Sequence, residues 1–160
     1  MKVELLNPFL LATKNVLETM AHTKVEAQKP HLKENKGTFG DVTGIIGMAS
    51  ESVEGNMVIS FHEACILEIV ARMLMEPPKA TIDNDTVDAV GELTNMICGG
   101  AKANLSKMGL SFNLATPTMV KGKGAEIRYP TSSPIIVVPF KTDCGDFVLE
   151  ASLADRSKKQ

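Results

Sequence analysis

The sequence predicts an α+β fold in which a helix-plus-strands unit occurs twice and a mostly antiparallel sheet carries its helices on one face. Three observations predict it. Segments with apolar residues three and four apart take turns along the chain with segments whose apolar residues alternate singly. Ile45-Ile46 precedes Gly55 by the same ten residues as Ile135-Ile136 precedes Gly145, and a strand pattern follows each glycine. Upstream, Pro30 and Gly37 are seven apart, as are Pro117 and Gly124. The pseudo-repeats run over about 1–61 and 81–153, with one helix between them, inside a single domain of residues 1–160.

The first element is a helix. Leu6, Leu10, Thr13, Leu17 and Met20 form one stripe, Asn7 can cap it with Pro8 at the first helical position, and Asn15 falls on the solvent side. Residues 24–37 are polar, and Pro30 confines any strand there to a sheet edge. "VTGIIGMASESVEGNMVISF" reads as strand, turn, strand, with Met57, Ile59 and Phe61 on one face. "HEACILEIVARMLM" is a second amphipathic helix, ended by Pro77-Pro78. Asp83 or Asp85 can cap a third, longer helix that runs to about Met108 and stops at Gly109. A polar segment with Pro117 follows, then "PIIVVPFKTDCGDFVLEASL", whose last strand places Phe147, Leu149, Ala151 and Leu153 on one face.

Composition bounds the function. Apolar residues make up 44% and charged residues 22% of the 160, an ordinary globular balance. A chain of this length buries a core without a disulfide or metal staple. The net charge is −2, and basic residues are dispersed apart from a short "RSKK" run, so no stripe exists to bind nucleic acid. With no Trp, one Tyr and six Phe, base-stacking platforms are missing too. Cys65, Cys98 and Cys144 are odd in number and widely spaced, which fits neither a disulfide framework nor a C-x-x-C metal site. Buried thiols in a reducing compartment are the expectation. His62 and Cys65 have i, i+3 spacing but no further ligands nearby in sequence, and no metal site is expected. The first twenty residues carry Glu4 and an amphipathic pattern unlike a signal peptide, and no apolar run approaches the roughly 18 residues of a membrane span. The expectation is a cytoplasmic protein without membrane insertion.

The segment that calls for an explanation is "GELTNMICGG", residues 91–100, where Gly99 and Gly100 lie inside a helix pattern. Glycine in a helix interior costs roughly 1 kcal/mol relative to alanine. On a helical wheel Val87, Val90, Thr94, Ile97, Ala101, Leu105 and Met108 cluster in one arc, the buried side. Glu92, Asn95 and Gly99 fall together opposite, with Asp88 and Ser106 near them. Glu92 and Asn95 are therefore surface neighbours one turn apart. Gly99 leaves the ground beside Asn95 bare, so another molecule can approach closely, with Asp88 on the same face. An exposed Glu and Asn at this spacing are usually solvated side chains; the costly glycine pair favours a functional use. Neither residue is a nucleophile and no His adjoins them, so any chemistry must use something a partner supplies.

The "ELTN" on a helix, the opening "NPFLLATKNVLETM", "GIIGM" followed by "GNMVISF", and the duplicated layout together resemble the CheX branch of the CheC-type chemotaxis phosphatases, over nearly the whole chain. The resemblance implies a phosphatase acting on the aspartyl phosphate of a CheY-type response regulator. It implies that Asn95 orients a water for in-line attack on phosphorus, and that Glu92 docks against the regulator's active-site lysine. It implies no metal or cofactor of the chain's own, with Mg²⁺ held by the regulator. Phosphoryl transfer suits such a division, because it demands positioning more than covalent chemistry. Asn both donates and accepts hydrogen bonds without adding negative charge beside a phosphate. CheC-type relatives can carry E-x-x-N in each half; here Asn15 has Ala12 three residues before it, so one site per chain is expected. The CheX branch further implies a homodimer. The rival reading is a non-catalytic binding module of the same fold, recognising a regulator or a flagellar switch component.

Overall fold

The computed structural model describes residues 3–128 and 133–156; the end of the "RSKK" run lies outside them. Among the described residues, three helices and an eight-stranded, wholly antiparallel sheet form one layer on another. In chain order the elements are α1 (Val3–Met20), β1 (Glu26–Ala27), β2 (His31–Leu32), β3 (Val42–Ala49), β4 (Val53–Phe61) and α2 (Glu63–Leu74), then α3 (Asn84–Lys107), β5 (Asn113–Leu114), β6 (Thr118–Lys121), β7 (Ile136–Thr142) and β8 (Gly145–Asp155).

The sheet is centred on β4 and β8, which pair over nine residues from Val53↔Asp155 to Phe61↔Phe147. Each belongs to a tight hairpin, β3–β4 and β7–β8. The outer strands cross over: β1 and β2 edge β7, while β5 and β6 edge β3. Each half of the sequence thus completes the sheet of the other. The polar stretch with Pro30 does supply edge strands, as its chemistry requires.

The helices cover one face. Met57, Ile59, Phe61, Phe147, Leu149 and Ala151 lie beneath them, fully or almost fully buried. Phe147 sits between Phe61 and Phe140, each ring centroid 4.9 Å away. The opposite face is closed by two irregular arms, residues 33–41 and 122–128, that meet over it. Thr38 N–H donates to the Ala125 carbonyl at 2.9 Å, and the Ala125 N–H returns to Thr38 Oγ1 at 3.2 Å. Beneath this lid the Gly40 N–H donates to Ser60 Oγ, and Lys33 Nζ lies 2.9 Å from both carboxylate oxygens of buried Glu150.

Three expectations about helix ends are corrected. Asn7 does not cap α1; the helix starts at Val3 and Pro8 lies inside it. Leu6 is buried and Leu5 packs on the core, so apolar burial holds an extra turn that Pro8 weakens by one missing backbone bond. Met20, assigned to the stripe, is 45% exposed, while Phe9 and Ala12 are buried in its place. Met108, placed in the buried arc of α3, is 48% exposed, because the helix has ended and the chain turns at Gly109, φ +88°.

Candidate functional site

α3 is fixed at its start by a reciprocal cap. Asp83 Oδ1 accepts from Thr86 N–H at 2.9 Å, and the Thr86 hydroxyl accepts from Asp83 N–H at 3.4 Å. Lys79 bonds Asp83 at 2.7 Å, and that contact, with the Thr86 backbone and hydroxyl next, holds the Asp83 carboxyl well below the usual carboxylate range.

Along the helix, Val90, Leu93, Thr94, Ile97, Cys98, Ala101 and Leu105 are buried. Leu93 and Cys98 widen the buried arc beyond the predicted one, since α3 packs on the sheet and also on α1 and α2. Thr94 turns its hydroxyl back to the Val90 carbonyl at 2.7 Å and lies directly over Gly44 of β3. A side chain at Gly44 would collide with it, so this glycine sets how closely the middle of α3 approaches the sheet. With Leu93 and Thr94 held inward, the residues on either side of them, Glu92 and Asn95, must face out.

Both are exposed, as are Asp88, Lys102 and Ser106 on the same strip. Among the described residues, neither Glu92 nor Asn95 takes part in a side-chain hydrogen bond or ion pair. The two glycines separate in role. A Cβ built on Gly99 meets nothing within 4 Å, so the surface beside Asn95 is open. A Cβ on Gly100 would sit 3.1 Å from that of Ala12, so Gly100 is where α1 and α3 touch. That contact also bears on the first half. Asn15 is exposed, but Ala12, three residues earlier, is buried under α3, and a carboxylate there would face the helix rather than solvent. Lys102, seven residues from Asn95, lies on the same strip.

The site is a convex helix surface. A cleft of about 440 Å³ lies elsewhere, lined by residues that include Ser50, Glu51, Asn113 and Arg156. Among the described residues no three His, Cys, Asp or Glu side chains gather as metal ligands would. His62 instead packs on Phe39 with ring centroids 4.2 Å apart, and Cys65 faces Cys144. No helix of the described residues is long and apolar enough to cross a membrane.

Comparison with known proteins agrees with this architecture. The model of the family "Chemotaxis phosphatase CheX" matches residues 42–141. The CheY-P phosphatase CheX of Thermotoga maritima is 30% identical over 87 residues, 54% of this chain and 54% of that protein, so the match spans about half the length of this curated relative. A CheC-like superfamily protein from Shewanella sp. PV-4 superposes with a TM-score of 0.89 at 42% identity, over 96% of this chain and 99% of that one. A chain from the crystal structure of the Borrelia burgdorferi CheX–CheY–BeF3–Mg²⁺ complex superposes with a TM-score of 0.79 at 26% identity, over 95% and 99%. By sequence from β3 into β7, and by fold over nearly its whole length, this chain belongs to the CheX family of chemotaxis phosphatases.

Proposed function

We propose that this chain hydrolyses the aspartyl phosphate of a CheY-type response regulator in the cytoplasm, using Asn95 to orient the attacking water and Glu92 to dock against the regulator's active-site lysine. The observation that carries the reading is the pairing of these two side chains, exposed, one turn apart and uncommitted to any intramolecular partner, beside the bare surface at Gly99. The Borrelia complex supports the class of partner. Asp88 and Gly99 form the contact around the pair. The regulator brings the phosphoryl group and its Mg²⁺; the chain brings a neutral amide that fixes a water without repelling phosphate oxygens. Holding that water removes orientational freedom before the reaction begins. The family's homodimer belongs to this reading, giving two sites per assembly.

The test is phosphate loss from a phosphorylated CheY-type regulator with and without the protein. Asn95→Ala is expected to lower the rate about 100-fold or more, the scale of losing one transition-state positioning group. Glu92→Ala is expected to raise KM, because docking is weakened. Both side chains are exposed, so both variants should melt like the parent. Decay no faster than that of the regulator alone would end the enzyme reading and leave the binding module. Full activity in Asn95→Ala would remove the role given to that residue.

A further inference from the structure

Cys65 and Cys144, scattered in sequence, meet in space. Their sulfurs are 3.6 Å apart although 79 residues separate them. Cys65 lies in the first turn of α2 and is 1% exposed. Cys144 lies in the β7–β8 turn and is half-buried, so a small solute reaches Cys144 first. Gly145, next in the turn, has φ +132°, and a Cβ there would come within 3.3 Å of the Cys65 Cβ. Glycine thus both makes the turn and lets the two thiols meet.

The Thr142 hydroxyl, 3.1 Å from Cys144 Sγ, donates its proton to the Gly145 carbonyl at 2.7 Å, so the group that favours an anion at Cys144 from outside the pair is Arg72. From α2, Arg72 reaches both carboxylate oxygens of Asp143 at 3.0 Å, which holds its guanidinium beside Cys144; Glu68 bonds the same guanidinium at 3.1 Å. From the hairpin, Asp143 and Asp146 are the opposing charges. Contact with Cys65 draws Cys144 below the ordinary thiol value most strongly, and the charge of Arg72 adds to this against burial. The same partnership, with burial, pushes Cys65 up. The contact favours the thiolate at Cys144 and the thiol at Cys65, the usual arrangement of a reactive cysteine and its resolving partner. Cys98, buried in α3 and pushed up to about 12 by burial, is a built-in control.

We propose that Cys144 and Cys65 form a hydroperoxide-reactive dithiol that closes to an intramolecular disulfide, tying α2 to the β7–β8 turn. The Cys144 thiolate attacks one peroxide oxygen and the O–O bond breaks. The departing hydroxide or alkoxide takes a proton from water, and Cys144 is left as a sulfenic acid, oxidised by two electrons. Cys65 sulfur then attacks the sulfenic sulfur. The S–S bond forms, the S–O bond breaks, and the Cys65 proton leaves with the hydroxide as water. Two thiols and one hydroperoxide give one disulfide, one water and one further water or alcohol.

The experiment titrates the full chain with hydrogen peroxide, blocks remaining thiols with iodoacetamide, and maps peptides by mass spectrometry. The expected product is monomeric in covalent terms and lighter by two hydrogens, with one Cys65–Cys144 linked peptide. Cys98 should be alkylated only after denaturation, and Cys144 should be oxidised at least about tenfold faster than Cys98. In Cys65→Ser, which keeps a donor beside Cys144 but no sulfur to resolve it, dimedone should capture Cys144 as the sulfenic acid. Oxidation of Cys144 no faster than Cys98, or a Cys144 disulfide found only between chains, would overturn the proposal. So would a Cys65→Ser variant that folds and yields no dimedone adduct.

Discussion

At the scale of single residues, the adjacent glycines of α3 differ in what surrounds them, and the difference is measurable. Nothing lies within 4 Å of a Cβ at Gly99, whereas one at Gly100 presses on Ala12. Gly99→Ala is therefore expected to stabilise the fold by roughly 1 kcal/mol, the ordinary helix preference. Gly100→Leu is expected to lose about 1–3 kcal/mol through overpacking. Denaturant unfolding of the two variants checks both. On the proposed function, Gly99→Leu should fold normally yet raise KM for the phosphorylated regulator, since its side chain would stand on the docking surface. A variant Gly99→Leu with unchanged KM would remove Gly99 from the contact. The wheel identified the outward side of this helix from residue types alone. It could not assign Gly100, because its neighbour Ala12 is 88 positions away in sequence.

Among the elements, α3 is the one whose placement decides the site, and its cap carries a pH signature. Asp83 is kept ionised by Lys79 first and by Thr86 next, so its folded pKa lies below that of the unfolded chain. The stabilisation it gives is fully present above the unfolded value of about 3.9 and is lost as pH falls through the folded one. Asp83→Ala should lower the melting temperature at neutral pH, and the gap from the parent should shrink in acid below about pH 4. A gap that stays constant in acid would show that the charged cap is not what holds the helix start. Asp83 was legible as a cap because capping is local chemistry. The start of α1 was not, because Leu5 and Leu6 extend it by packing on residues far along the chain. The same contrast explains the cysteines: spacing in sequence separated Cys65 from Cys144, and only the β7–β8 turn arriving beside α2 brings them together.

For the molecule as a whole, the two long hairpins and the helical layer followed from periodicity, but the edge strands β5 and β6 and the lid on the far face did not. The polar arms share a proline-to-glycine spacing but no apolar periodicity, and that gave no sign that they would close over β4 and β8. Their hold on the sheet runs through Lys33, whose ammonium reaches Glu150 and the Gly37 carbonyl at 3.1 Å. With side chains only 12% and 3% exposed, neither charge has water to replace a lost partner. Glu150→Ala is expected to cost about 3–5 kcal/mol, whereas Lys33→Met with Glu150→Leu should be close to neutral. Equal losses in the single and double variants, measured by chemical denaturation, would show that the pair's charges do not matter to the lid.

The order in which the strands occur has its own consequence. β8, in the middle of the sheet, comes after every other described element along the chain. During synthesis the β3–β4 hairpin therefore emerges with one flank unpaired and waits through α2, α3 and β7 for the strand that fills it. A translation pause placed before residue 145 would strand an apolar half-sheet at the ribosome exit, where a holding chaperone is the natural occupant of the gap.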